Sequence, residues 1–191
     1  FLETDTSGGQ QRIVLPTSMN LADDREIFEA IRMRRPDFVI NCMVEPGVDR
    51  AESDPTECRQ INHDLPVSLA IACREFDVTL IQLSTDYIFD GQKDIAYFEN
   101  DAPNPLNLFG QTRLEAERDI ENLLDQHIIL RVSHLFAPGD NSFVTNLLDR
   151  ARTESELPMI QDERGCPTSI YDISRVTVSY THLRAHETPI N

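Results

Sequence analysis

Apolar residues along the chain fall into two alternating patterns. The first is helical. Asp23-x-x-Glu26 has the shape of a capping box, and Ile27, Phe28 and Ile31 line one face behind it, so a helix is expected there until Pro36 halts it. The second is continuous: "DFVINCM" (Asp37–Met43) is apolar almost throughout, like a strand covered on both faces of a parallel sheet. The pair then repeats. Asp54-Pro55 opens a second helix, which Pro66 divides so that its later piece restarts from Asp64 and runs to about Glu75. "VTLIQLS" (Val78–Ser84) is the next buried strand. A loop rich in Asp, Asn, Gly and Pro follows from about Asp90 to Asn104, and loops of that length are usually functional or disordered.

A third helix is expected with Asn104 as cap and Pro105 in its first turn, running to about Asp125. "HIILRVSHLF" (His127–Phe136) reads as a third strand. Asn141 is the expected cap of a helix whose apolar face carries Phe143, Leu147 and Leu148 and which ends near Thr153. "LPMIQD" (Leu157–Asp162) reads as a short strand, and a last helical turn is expected around Tyr171–Val176. Helices alternating with buried strands define an α/β fold with a parallel sheet. Such sheets bind ligands outside the carboxyl ends of their strands, which directs attention to the residues after Met43, Ser84 and Ser133.

Composition narrows the function classes. The 191 residues carry 33 acidic against 17 basic side chains, a formal charge of −16, which disfavours nucleic acid and anionic membrane as partners. The four cysteines (Cys42, Cys58, Cys73, Cys166) contain no C-x-x-C pair and fit neither a disulfide framework nor a zinc site. Cys42 and Cys73 lie in apolar runs and are expected to be buried small hydrophobes. Apolar runs fall well short of the ~18 residues that span a bilayer, so the expected location is cytoplasmic. Ser7-Gly8-Gly9, in the polar segment 1–20, follows no strand and opens no helix, so it reads as a flexible end and not a phosphate loop. His182 and His186 stand four apart in the tail, but no third ligand accompanies them, and no metal is expected.

Five blocks sit at or near the strand ends: "NCMVEPGVDRAESDP" (Asn41–Pro55), "LSTDYIFDG" (Leu83–Gly91), "NPLNLFGQTRLEAE" (Asn104–Glu117), "RVSHLFAPGDNSF" (Arg131–Phe143) and "RGCPT" (Arg164–Thr168). In order and spacing, from about Leu21 to Val176, they resemble the dTDP-4-dehydrorhamnose reductase family of extended short-chain dehydrogenases/reductases. The resemblance implies a Rossmann-like doubly wound sheet and NADPH- (or NADH-) dependent reduction of a 4-keto nucleotide sugar, dTDP-4-dehydro-L-rhamnose. It leaves a homodimer open as the assembly.

In that family a Tyr hydroxyl delivers the proton, and a Lys four residues on lowers its pKa and holds the nicotinamide ribose. A Ser or Thr hydroxyl helps to polarise the carbonyl. Spacing of four puts Tyr and Lys on one helical face, aimed at one reacting centre. Carried over by position, the hydroxyl role falls on Thr85, and Asp86 and Tyr87 face the sugar. Val48, Asp49 and Arg50 approach the substrate, and Cys42, Met43, Val44 and Glu45 border the cofactor. Without the family resemblance, Thr85 and Asp86 read first as an ordinary strand-end turn.

Two departures stand out. Phe109 occupies the Tyr position and Arg113 the Lys position, so the general acid, typically worth about 10²–10⁴ in rate, is missing. Arg113 keeps a charge without the compact ammonium of Lys, and is expected to serve both the damaged catalytic pair and the cofactor site. The family's Gly-rich turn, which cradles the pyrophosphate in an opening βαβ unit, has no counterpart before Asp23, nor is most of the family's C-terminal sugar-binding part present. The chain is therefore expected to be an internal piece: a polar end at 1–20, a partial reductase domain at 21–176, and a tail at 177–191. "THLRAHET" in that tail resembles translated adapter sequence, so the tail is expected to be non-native or disordered. A second reading is a non-catalytic binding or regulatory subunit, since the methionine adenosyltransferase regulatory subunit shares this fold family.

Overall fold

The computed structural model describes residues 23–44, 47–139, 142–158 and 165–185, with side chains described as far as residue 180. The expectations for Ser7-Gly8-Gly9, Glu45, Asn141, Arg164, His186 and the missing Gly-rich turn lie outside the described residues, as does the side chain of His182. The chain divides after Arg131 into two compact units.

In the first unit, α1 (Asp24–Arg34) starts where Asp23 accepts the Arg25 N–H at 2.9 Å and ends at Arg35, which turns left-handed (φ 46°) ahead of Pro36. Ile27 and Ile31, one turn apart, are its buried positions. β1 (Phe38–Asn41) pairs in parallel with β2 (Thr79–Thr85), Phe38 opposite Thr79 through Asn41 opposite Gln82, and β3 (His127–Val132) lies on the far side of β2. The fold is thus α/β with a parallel sheet, as the alternation implies. β2 is the centre of the sheet, and its long buried run shows it. β1 is an edge among the described strands, and Ile40 is half exposed there, so the cover expected on both of its faces is incomplete.

A helix absent from the sequence reading, α2 (Val48–Ser53), follows Gly47. Gly47 (φ 107°) offers no side-chain cap, so the start carries no Ser, Thr, Asp or Asn signal. Asp54 then caps α3 (Pro55–Arg59), accepting the Glu57 N–H at 3.0 Å, as Asp54-Pro55 predicts. Pro66 does not split the next segment into two separate helices. One π turn, Gln60–Asp64, carries the helical backbone straight into α4 (Leu65–Phe76), and Asp64 stays helical without capping. A wider turn absorbs the ring and missing N–H of Pro66 without breaking the rod.

Ile27, Ile31, Leu69, Cys73, Leu80, Ile120 and their neighbours form the main core, joining α1, α4, β2 and α5 (Leu108–Leu123). Complete burial of each large aliphatic contributes about 1.5–3 kcal/mol. Cys73 is buried as expected, and burial pushes its thiol up to about 12, whereas Cys42, at the open end of β1, is exposed.

The second unit holds β4 (Leu135–Phe136), α6 (Phe143–Thr153), β5 (Thr168–Ser169) and α7 (Ile170–Ala185). The expected strand His127–Phe136 is two strands in different sheets, because His134 between them turns left-handed (φ 41°). β4 and β5 pair in parallel. Ser142 accepts the Thr145 N–H and caps α6. Leu157 and Pro158 are irregular, and the rest of that expected strand lies outside the described residues. α7 is a helix of 16 residues where a single turn ending at Val176 was expected. No described helix is long and apolar enough to cross a membrane.

Candidate functional site

Met43, Thr85, Tyr87, Phe109 and Arg113 gather where β1 and β2 end. Thr85, the last residue of β2, is buried and caps a 3₁₀ turn, Asp86–Ile88. Its hydroxyl accepts the Tyr87 N–H at 3.2 Å and lies 3.3 Å from an Asp86 carboxylate oxygen, to which it donates. The turn delivers Tyr87 edge-on to Phe109, with ring centroids 5.6 Å apart at 89°. Edge-to-face pairs of this kind are worth about 0.5–1.5 kcal/mol beyond area burial.

Phe109 sits in the first turn of α5. The cap of that helix is Asn107 and not Asn104: the Asn107 side chain accepts the Gly110 N–H at 2.8 Å. Asn104 closes the preceding loop instead, its side chain donating to Asp90 at 3.0 Å and its N–H to the Ile88 carbonyl at 2.9 Å. Glu52 of α2 takes the Leu108 N–H at 2.9 Å, so α2 and α5 are tied at the site. Ala51, Cys58 and Phe109 form a second small core, with Val48, Tyr87 and Leu108 packed on it. Val48 therefore stands at the site. Asp49 and Arg50 are exposed on α2, where Arg50 pairs with Glu57 at 2.9 Å.

Gly110, which sequence reasoning passed over, fixes how closely α5 can approach. A Cβ there would lie 2.1 Å from the Tyr87 carbonyl oxygen and 3.1 Å from Pro105 Cβ. Only a residue without a side chain lets the helix lie against the 3₁₀ turn. Its signal in the sequence was plain, since "NLFG" puts a glycine inside an amphipathic helix where it costs stability unless packing requires it.

Arg113 lies one turn beyond Phe109 and is only 4 % exposed. Its Nη2 donates to the Met43 carbonyl, at the end of β1, at 3.0 Å, which joins the expected cofactor border to α5. Met43 is itself oriented by its N–H, which donates to the Asn41 side chain at 3.0 Å, and Asn41 is held by Gln82 at 2.9 Å. Cys42 and Val44 flank Met43 and are exposed. Nε and Nη1 of Arg113 are buried without a hydrogen-bond partner, as is the Ser84 hydroxyl on β2. Burial pulls the Arg113 guanidinium down to about 10, while the Cys58 sulfur and the Glu117 carboxylate act the other way. It remains a cation at neutral pH. Unpaired buried donors beside a strand end suit an oxygen-rich group such as a nucleotide ribose or phosphate.

The arrangement can bind and orient a ligand, but the Phe109 ring has no proton to give. The chain matches the family model described as RmlD substrate binding domain over residues 4–190. It is 37% identical over 157 residues to the dTDP-4-dehydrorhamnose reductase of Sinorhizobium fredii, a match covering 82% of this chain and 53% of that one. Among solved structures, a dTDP-4-dehydrorhamnose reductase from Clostridium acetobutylicum superposes with a TM-score of 0.84 at 30% identity, covering 93% of this chain and 64% of that one. A Bacillus anthracis dTDP-4-dehydrorhamnose reductase in complex with NADP does so with a TM-score of 0.81 at 25% identity, covering 86% and 59%. The chain spans about half the length of the curated relatives it matches.

Proposed function

We propose, from the premise that the chain belongs to the RmlD substrate binding domain family, that it forms the ligand-holding centre of an NADP(H)-dependent dTDP-4-keto-sugar reductase whose proton-delivery step is disabled. The observation that carries this reading is Phe109: it fills an intact apolar seat against Tyr87, beside a buried Arg113, at the carboxyl ends of β1 and β2. The relatives, dTDP-4-dehydrorhamnose reductases, support the substrate class, and the NADP complex of one supports the cofactor class.

The residues fit a nicotinamide dinucleotide. Arg113 would hold it through the two unpaired guanidinium nitrogens, with Cys42, Met43 and Val44 along its border. When bound, the cofactor supplies the hydride. Thr85, Asp86 and Tyr87 would face the sugar, with Val48 on the second wall and the exposed Asp49 and Arg50 beyond it. Thr85 Oγ1 has two local partners, so it would polarise a carbonyl only by exchanging its bond to Asp86. The proton that a 4-keto oxygen needs on reduction has no donor at Phe109. The missing acid equally favours binding without turnover, as in a regulatory subunit.

Two measurements test the reading of a disabled proton step: NADPH oxidation with dTDP-4-dehydro-L-rhamnose, and NADP⁺ binding by titration. Binding with turnover about 10²-fold or more below that of the Phe109→Tyr, Arg113→Lys double variant is the expected result. Turnover by the unaltered chain equal to the double variant would overturn the reading.

A further inference from the structure

Glu117 is an acid in an unusual position for its charge: on α5, and only 2 % exposed. Arg131, on β3, grips it with both arms of the guanidinium, Nε lying 3.2 and 3.1 Å from the two carboxylate oxygens and Nη2 2.7 Å from one of them. Arg131 is itself held, donating Nη1 to the Glu99 carbonyl at 3.0 Å and lying over the Phe89 ring at 5.6 Å. Such a fork-on-fork pair fixes both groups in orientation as well as distance. Arg113 stands four residues before Glu117, on the same face of the same helix. It is as deeply buried, yet its one hydrogen bond runs to a neutral carbonyl. The partly exposed Arg131 guanidinium thus grips the buried carboxylate, and the buried Arg113 guanidinium stands one helical turn before it.

We propose that Glu117 is a positioning residue for Arg113: clamped by Arg131, it supplies a buried counter-charge that favours the Arg113 guanidinium in its buried seat and keeps it aimed at the end of β1. The arrangement also ties the loop after β2 to the site, because the clamp on Glu117 is anchored to that loop at Phe89 and Glu99. Breaking a buried charge arrangement by deleting one partner is far costlier than never having built it. Glu117→Gln should therefore harm the chain through both cations it abandons, Arg131 and Arg113. Removing Arg113 as well should relieve the share of the harm that falls on it. A Glu117 that merely fastened β3 to α5 would be indifferent to what stands at position 113. Its role toward a bound cofactor rests on the function proposed above; its role toward Arg113 does not.

The test is a double-mutant cycle on the full 191-residue chain, with Glu117→Gln, Arg113→Met and the pair, read by urea denaturation and by NADP⁺ titration. Glu117→Gln is expected to lower the folding equilibrium constant at least tenfold more in the Arg113 chain than in the Arg113→Met chain. A Glu117→Gln chain that folds only when Arg113→Met accompanies it is the extreme form of the same result. An equal loss in both backgrounds, or failure to fold in both, would overturn the proposal. In the titration, Glu117→Gln should weaken NADP⁺ at least tenfold with Arg113 present and leave it unchanged in the Arg113→Met background. Absence of NADP⁺ binding by the unaltered chain would sink the proposed function, while the denaturation cycle would still decide the role of Glu117.

Discussion

Replacing Gly110 with alanine adds one methyl group at the point where α5 meets the turn after β2. The added carbon would stand 2.1 Å from the Tyr87 carbonyl oxygen and 2.8 Å from its carbon. Even the closest ordinary C···O approaches are about 3.3 Å, so the helix and the turn must part by about 1 Å. The obstacle is backbone, which cannot swing away as a side-chain tip can. Parting them opens the cluster in which Phe109 packs on Ala51 and Cys58 and loosens the Tyr87–Phe109 contact. Overpacking of this kind costs typically about 1–3 kcal/mol and occasionally more, and a clash with main chain belongs at or above the top of that range. Alanine returns about 1 kcal/mol of helix propensity. The net loss is about 2 kcal/mol or more. Urea denaturation followed by far-ultraviolet circular dichroism measures it, and with a slope of ~2 kcal/mol per molar the midpoint should fall by roughly 1 M or more. A Gly110→Ala chain with an unchanged or higher midpoint would refute the close seat of α5, and with it the placement of Phe109 against Tyr87.

Two further outcomes follow from the same region. Asn107→Ala removes the side chain that accepts the Gly110 N–H and should cost about 0.5–2 kcal/mol in the same denaturation assay, whereas Asn104→Ala should leave the helix start intact and loosen the loop instead. The Asp90 carboxyl is held down at about 2 by the Asn104 amide, the Gln92 N–H and the Tyr97 hydroxyl. A depressed carboxyl stabilises above its ordinary value near 4, and that stabilisation disappears as pH falls through about 2. The loop between Phe89 and Asn104 should accordingly become a pepsin target between about pH 4 and pH 2, and Asp90→Asn should remove that pH step.

Most of the scaffold was legible because its signals are local. Asp23 and Asp54 announce helix starts through a short polar side chain beside the free N–H groups, and both cap as expected. β2 was legible because a centre strand is buried almost throughout, and its apolar residues crowd into the short run Val78–Leu83. What misled was decided by partners far away in sequence. Asn104 and Asn107 are equally good caps by composition, and Pro105 favours the first. Asn104 is instead taken by Asp90, 14 residues earlier, and the helix starts one position after Asn107. The break between β3 and β4 depends on His134 in a left-handed conformation, which histidine enters more readily than most residues but which is still uncommon for any residue with a side chain. Thr85, Tyr87, Phe109 and Arg113, which lie together at the ends of β1 and β2, were singled out by the spacing of the motif blocks. Glu117 and Arg131 escaped notice because a buried ion pair looks, in a sequence, like two more surface charges.

On the proposed function, Phe109 and Arg113 stand where a proton-delivering site has Tyr and Lys, and the two differ in what they disturb. Phe109 and a tyrosine differ by one oxygen, and the ring keeps its edge-to-face contact and its apolar seat, so the acid could be restored without rebuilding the cluster. Arg113 is different. It reaches the Met43 carbonyl, leaves two donors unpaired, and is as buried as its carboxylate neighbour Glu117. A lysine would present a compact ammonium on a different stem and would have to find new acceptors for its three protons. Phe109→Tyr alone should therefore fold about as well as the parent chain, while Arg113→Lys alone should lose stability through unmet buried donors. Activity that returns only in the double variant would mean that the hydroxyl needs the ammonium. Return with Phe109→Tyr alone would mean that the guanidinium, held among Glu117 and the β1 end, already performs the electrostatic half of the work.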